Sequence, residues 1–287
     1  MGEVDRLMTE LRKLPVDGRG SVMAKLMELA GDGDSRTGVL FGWLRLCTKG
    51  VLKGEDFEPH LPTLLSFWRD VYGQARPMQR SASELDWMID EEYFGIRNRA
   101  GLLLDLMGYL PVRQVEDCLR EGLSLADPRL KLFAALSLLR HSQYVDPAGL
   151  EMIAASHEVR IVLWEELRRL KMEPLMPQRW SAPEELAASD LSRWVSHEME
   201  LGVPPEEIEL MGRFPVSVEG YTADAYLFRF REYPKPWEPG EGWMAGTAGP
   251  FRDGEAIGSC WSAFEQWDSL SPKEHFIKLH GTVGGGG

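Results

Sequence analysis

A stretch near the middle of the chain nearly repeats itself, and repetition constrains a fold more tightly than composition does. Residues 98–110 return in altered form as Leu130 to Ser142 and again as Val159 to Lys171. In each copy a basic residue, Arg99, Lys131 or Arg160, is followed seven positions later by a leucine, Leu106, Leu138 or Leu167, with a small or apolar run between them. A period of roughly thirty residues predicts helical pairs stacked in an array. Each pair buries its apolar face only against the next, which leaves an extended surface better suited to binding than to chemistry.

Helical periodicity continues on both sides of the repeat. Val4, Leu7, Met8, Leu11 and Leu14 make one stripe, ended by Pro15 and Asp17-Gly18; Val22, Leu26 and Leu29 make another, ended by Gly31 to Asp34. Val39 to Cys47 and Leu61 to Tyr72 supply two more, and 74–82 reads as a polar connection before a helix opened by Ser81 and Glu84 as a capping box. Asp127-Pro128 and Asp146-Pro147 each set a side-chain acceptor before a proline at the first helical position. Ser181 and Glu184 predict a further capping box, and Gly202 with Pro204-Pro205 closes the helical region.

Beyond Pro205 the composition changes. In Val216 to Tyr233, Tyr226, Phe228 and Phe230 alternate with Leu227, Arg229 and Arg231, the two-residue period of a strand. Residues 234–254, with four prolines and five glycines, read as a long loop, and two short helices are expected to close the chain, the second opened by Ser271-Pro272 and Glu274. The expected fold class is mainly α: a helical-repeat α-solenoid over 1–205, a small C-terminal α+β or irregular module over 206–283, and a disordered glycine tail at 284–287.

The repeated segments resemble HEAT repeats, in particular the short bacterial HEAT-like repeats of the phycobilin-lyase type. The resemblance covers about 98–171. Asp127-Pro128-Arg129-Leu130-Lys131 and Glu158-Val159-Arg160 match the acidic, apolar, basic opening of such repeats, and Leu138 and Leu167 stand where the family keeps leucine. Residues 1–95 lack the Asp-Pro opening and the regular length. The resemblance implies that Arg99, Lys131 and Arg160 make structural contacts between repeats rather than a ligand site.

Composition and charge narrow the function. A chain of 287 residues, 44% hydrophobic with 10 Trp, can fill a core without staples. Cys47, Cys118 and Cys260 lie more than seventy residues apart, which excludes a disulfide framework or a zinc ribbon and fits a reducing cytoplasm. The polar opening has no leader pattern, Arg6 stands where a myristoylation signal needs Ser or Thr, and no run has the 18 or so apolar residues of a spanning helix, so no membrane role is expected. With 45 acidic against 32 basic residues the formal charge is −13, which repels phosphate backbones and attracts cationic proteins. Nucleic acid is not an expected partner.

Catalytic look-alikes fail on position or partners. Gly258-Ser259-Cys260-Trp261 resembles the nucleophile segment of papain-like cysteine proteases, but that chemistry needs a base oriented by a third group, and the family's histidine lies far downstream of its cysteine. Here only His275 and His280 follow, within 27 residues. The six histidines, His60, His141, His157, His197, His275 and His280, form no ligand spacing with carboxylates, and Asp32 to Arg36 begins like a calcium loop but puts Arg36 at a ligand position and Trp43 at the closing one. Residues 242–250 are glycine-rich without the Gly-Lys-Ser/Thr ending of a phosphate loop. No catalytic residue, metal or cofactor is expected.

What remains is recognition. Trp237, Trp243, Phe251 and Trp261 cluster in the C-terminal module and offer the contact area of interface hot spots, or else form that module's own core. The expected function is a non-enzymatic scaffold or inhibitor that binds a basic protein, in its most concrete form an acidic immunity-type protein against a basic toxin. The alternative is an enzyme, either resembling the HEAT-fold DNA glycosylases, with Trp164, Glu165 and Glu166 as the tempting residues, or with an activity in the C-terminal module. The acidic total opposes the glycosylase form.

Overall fold

A computed structural model of the chain describes residues 2–31, 33–79, 90–197, 199–218, 220–232, 242–252, 255–256 and 263–283. Within these residues the protein is mainly helical, with an antiparallel sheet near the C-terminus. The chain divides into two compact units, Met1–Gly149 and Leu150–Gly287.

The first unit is built of helices α1 (Glu3–Leu11), α2 (Gly20–Gly31), α3 (Gly33–Thr48), α4 (Gly54–Phe57), α5 (Leu61–Met78), α6 (Glu91–Met107), α7 (Val112–Ser124) and α8 (Pro128–Arg140). The stripes read from the sequence face inward: Leu7, Met8 and Leu11 of α1 and Val22 and Leu26 of α2 are all buried. α6 packs against α3, α5, α7 and α8, and a broad face of it is buried, from Ile96 and Ala100 to Leu103, Leu104 and Leu106. The repeat leucines Leu106 and Leu138 are both in this core, each stabilising it by about 1.5–3 kcal/mol. Asp127 caps α8 as its sequence position predicts, accepting from Arg129 N at 2.8 Å and Leu130 N at 3.2 Å.

Two local expectations are corrected, and a third is untested. Residues 74–78 continue α5 rather than forming a connection, because the buried Ala75 anchors that last turn and Pro77 sits one residue from its end. Asp34, Ser35 and Arg36 belong to α3, whose first residue is Gly33, and not to a turn. The Ser81 and Glu84 box lies outside the described residues.

The helix α9 (Pro147–Ala154) spans the division between the units, and Asp146 accepts from Ala148 N at 3.0 Å to start it. The second unit continues with α10 (Arg160–Arg169) and α11 (Pro183–Val195). Ser181 does not cap α11: its Oγ donates to the Gln178 carbonyl at 3.0 Å, and Ala182 holds the cap position ahead of Pro183.

The sheet follows. Strands β1 (Pro205–Val218) and β2 (Tyr221–Glu232) form a hairpin, and β3 (Trp243–Arg252) pairs antiparallel with β2, setting Gly246 opposite Phe228 and Met244 opposite Phe230. Two short strands, β4 (Glu255–Ala256) and β5 (Phe264–Gln266), pair with different ends of β3. The expected loop at 234–254 is therefore a strand over its second half. Its residues are small because both sheet faces are covered. On one face Tyr226, Phe228, Phe230, Ala248 and Phe251 form a core with Ala187, Ala188, Leu191 and Val195 of α11. On the other, Ala223, Ala225, Leu227 and Ala245 pack against Phe276 and Leu279 of α12 (Pro272–Val283). The alternation read at Tyr226 to Arg231 thus sets Tyr226, Phe228 and Phe230 in one core, while on the opposite face Leu227 enters the other core and Arg229 and Arg231 stay partly exposed.

Gly246 is required where α11 meets the sheet. A Cβ there would stand 2.8 Å from Phe230 Cε1 and 3.1 Å from Leu191 Cδ1. At the end of the chain one described helix, α12, replaces the expected pair. Ser271 and Glu274 do form its capping box, with Ser271 N donating to Glu274 Oε2 at 2.8 Å and Glu274 N to Ser271 Oγ at 3.4 Å. The 284–287 tail lies outside the described residues.

Candidate recognition surface

The aromatic residues expected to mark a binding surface separate in the fold. Trp237 and Trp261 lie outside the described residues, as does Cys260. Phe251 is 2% exposed and edge-on to Tyr226, so it is core rather than contact surface. Trp243 alone of the described members is partly exposed. It opens β3 opposite Arg231, and the sheet's alternation brings Arg229 and Arg231 over its indole at 4.6 and 5.9 Å. Each cation over an indole contributes about 0.5–1 kcal/mol at an exposed site.

The same end of the hairpin carries three carboxylates from β1. Arg229 Nε donates to Glu209 Oε2 at 2.6 Å, and Arg231 pairs with Glu206 at 3.1 Å and with Glu207. Register explains the match, since Glu209 stands opposite Arg229 and Glu207 opposite Arg231. Three acids against two guanidiniums leave the patch with a residual negative charge around one aromatic ring. Solvent screens all of these pairs, so they are worth at most about 1 kcal/mol each to stability.

Charge is divided unequally along the chain. The second unit holds 23 Asp and Glu against 13 Lys and Arg, a formal −10, whereas the first holds 22 against 19, a formal −3.

The three repeated basic positions occupy different settings. Arg160 is fully buried and bonded on all three guanidinium nitrogens. Lys131 is partly buried, and desolvation lowers its pKa. Arg99 is partly exposed on α6. A buried ion pair of the first unit instead uses Arg97, two residues before Arg99. Its Nε lies 2.7 Å from Asp127 Oδ2, and Asp127 Oδ2 also accepts from the Tyr93 hydroxyl at 2.8 Å, which in turn accepts from Gln79 Nε2 at 2.8 Å. Burial, then the Asp127 charge, drives the Tyr93 pKa far above its ordinary value. Sequence reasoning passed over Arg97 because it lies off the seven-residue spacing to leucine. The signal that could have found it is its place four residues after Tyr93, on the same helix face.

The described cysteines and His275 sit in buried or partly buried settings. Cys47 is buried and Cys118 partly so; burial first, then nearby carboxylates, push their thiols up to about 12 and about 11, far from a nucleophile's range. His275 is fully buried, stacked on Trp267 at 4.5 Å, with Nδ1 2.7 Å from Glu265 Oε1 and Nε2 3.4 Å from the Asp268 N–H. Glu265 also pairs with Lys278, so this cluster fastens α12 to β5. Among the described residues no group of three His, Cys, Asp or Glu could hold a metal ion, and no helix is long and apolar enough to cross a membrane.

No protein-family model matches the chain, and neither does any curated protein or solved structure.

Proposed function

We propose that the protein is a non-enzymatic binding protein whose second unit engages a basic protein partner. The concentration of acidic charge in that unit carries this reading: a formal −10 on 138 residues produces a field that speeds encounter with a cationic surface. Trp243, ringed by Arg229, Arg231 and the β1 glutamates, supplies an aromatic anchor of the kind that dominates interface energetics. The helices over 98–171 serve as a frame, stacked in the manner of HEAT-like repeats. In its most specific form the protein is an immunity-type inhibitor of a basic toxin in the cytoplasm.

Crosslinking mass spectrometry of the full chain in a lysate of its source tests this. The expected crosslinks run from residues 150–283 to a protein of pI above about 9, and disappear when salt shortens the Debye length from about 8 Å to about 3 Å. Crosslinks concentrated on 1–149, or insensitive to salt, would overturn the reading.

A further inference from the structure

The turn between α9 and α10 is held to α11 by two buried side chains. Arg160 Nε donates to the Ala154 carbonyl at 2.6 Å and Nη2 to the Ala155 carbonyl at 3.1 Å, while Nη1 reaches the Glu185 carbonyl at 3.0 Å and its carboxylate at 2.5 Å. One cation thereby joins the end of α9, the start of α10 and the first turn of α11. Ser189, also buried on α11, donates to the His157 carbonyl at 2.6 Å and accepts from Ile161 N at 2.9 Å. Trp180 lies against the Arg160 guanidinium at 4.2 Å and donates its indole N–H to Glu151 at 2.7 Å.

His157 stands in this same turn, and its buried Nδ1 has no hydrogen-bond partner among the described residues. Burial first, and the Arg160 charge second, push its pKa down to about 4. The carboxylates nearby are committed elsewhere: Glu185 to Arg160, Glu151 to Trp180, and Asp190 to Arg193 at 2.9 Å. Arg179, 4.4 Å over the Trp180 ring, adds further positive charge, and Glu158 is the next residue in the chain. A neutral imidazole is tolerated there. An imidazolium would be a second cation beside Arg160 without an acceptor at Nδ1, in a medium where unpaired charge is costly.

We propose that this turn is an acid-released latch: protonation of His157 beside Arg160 detaches the α9–α10 turn from α11 while the sheet stays folded. The sheet is insulated because α11 holds it through a separate apolar core of Ala187, Ala188, Leu191 and Val195. The sign follows from a group that folds neutral. The latch is fully closed above the ordinary imidazole pKa of about 6.5 and weakens as pH falls from there toward about 4.

Hydrogen exchange of the intact chain at pH 7 and pH 4.5, corrected for intrinsic rates, reads this directly. Protection of residues 154–163 should fall by roughly fiftyfold to a hundredfold, while β2 keeps its protection, and His157→Gln should remove most of the difference. Equal loss in wild type and His157→Gln, or loss shared by β2, would overturn the latch. If His157→Gln does not fold, the Cε1–H titration of His157 in the wild-type protein decides: a midpoint near 4 supports the latch and one near 6.5 overturns it.

Discussion

The two units differ in where most of their ion pairs lie and in how much charge they leave over. In the first, the ionic groups that matter are sealed inside: Arg97 and Asp127 are 6% and 0% exposed, Tyr93 and Gln79 complete their hydrogen bonds, and Arg140 pairs with Asp105 between α8 and α6. In the second, Arg160–Glu185 and the His275 cluster are buried, but the other ion pairs are largely exposed, on the sheet as with Arg213 and Asp224 or Arg231 and its glutamates and on the helices as with Arg193 and Glu165, and an excess of ten acids is left over. Buried pairs fix how helices stand against one another, since removing one partner strands the other in a medium of low dielectric. Exposed pairs do little for stability and are free to be exchanged with another molecule. The first unit's shape therefore rests on its buried pairs, while the exposed pairs of the second are the ones that the proposed encounter with a basic partner would use.

The largest test of this contrast is Asp127→Ala. It removes a helix cap and takes away the carboxylate that Arg97 and Tyr93 share, with an expected cost of about 3–5 kcal/mol. In urea unfolding followed by tryptophan fluorescence the loss should fall on a transition of the first unit, with the second unit's midpoint unchanged. An equal shift of both would break the comparison. Next comes Leu191→Ala, which opens the core between α11 and the sheet and should cost the second unit about 3 kcal/mol by the same measurement. The smallest effect on stability belongs to Trp243→Ala, within about 1 kcal/mol of wild type because the ring is partly exposed and held by screened cations. That variant should still lose most of its crosslinking to a basic partner, which would separate encounter from folding.

The sequence disclosed the helices well where side-chain period and cap agreed. Asp127-Pro128 and Asp146-Pro147 start helices as read, Ser271 and Glu274 close their box, and Leu106, Leu138 and Leu167 are all buried. It disclosed β2 through the alternation of large side chains. It hid β3, since Ala245, Gly246 and Ala248 are small beneath the covering helices and Gly249 takes a positive φ beside the Asp224 carbonyl, and smallness reads as loop until those neighbours are known. The candidate surface was legible only at Trp243. Phe251 has the same chemistry, and nothing in one sequence tells a ring that faces a core from one that faces a partner.

Gly246 also settles a question of position along the strand. Leu191 drops into the notch that its missing side chain leaves. A slide of α11 along β3 in either direction would carry Leu191 onto Met244 or Ala248, whose side chains share that face and already fill the space. The glycine therefore acts as a detent, a single seat that gives the helix one place to stop, and the second unit's alignment of helix on sheet is set by an atom that is not there.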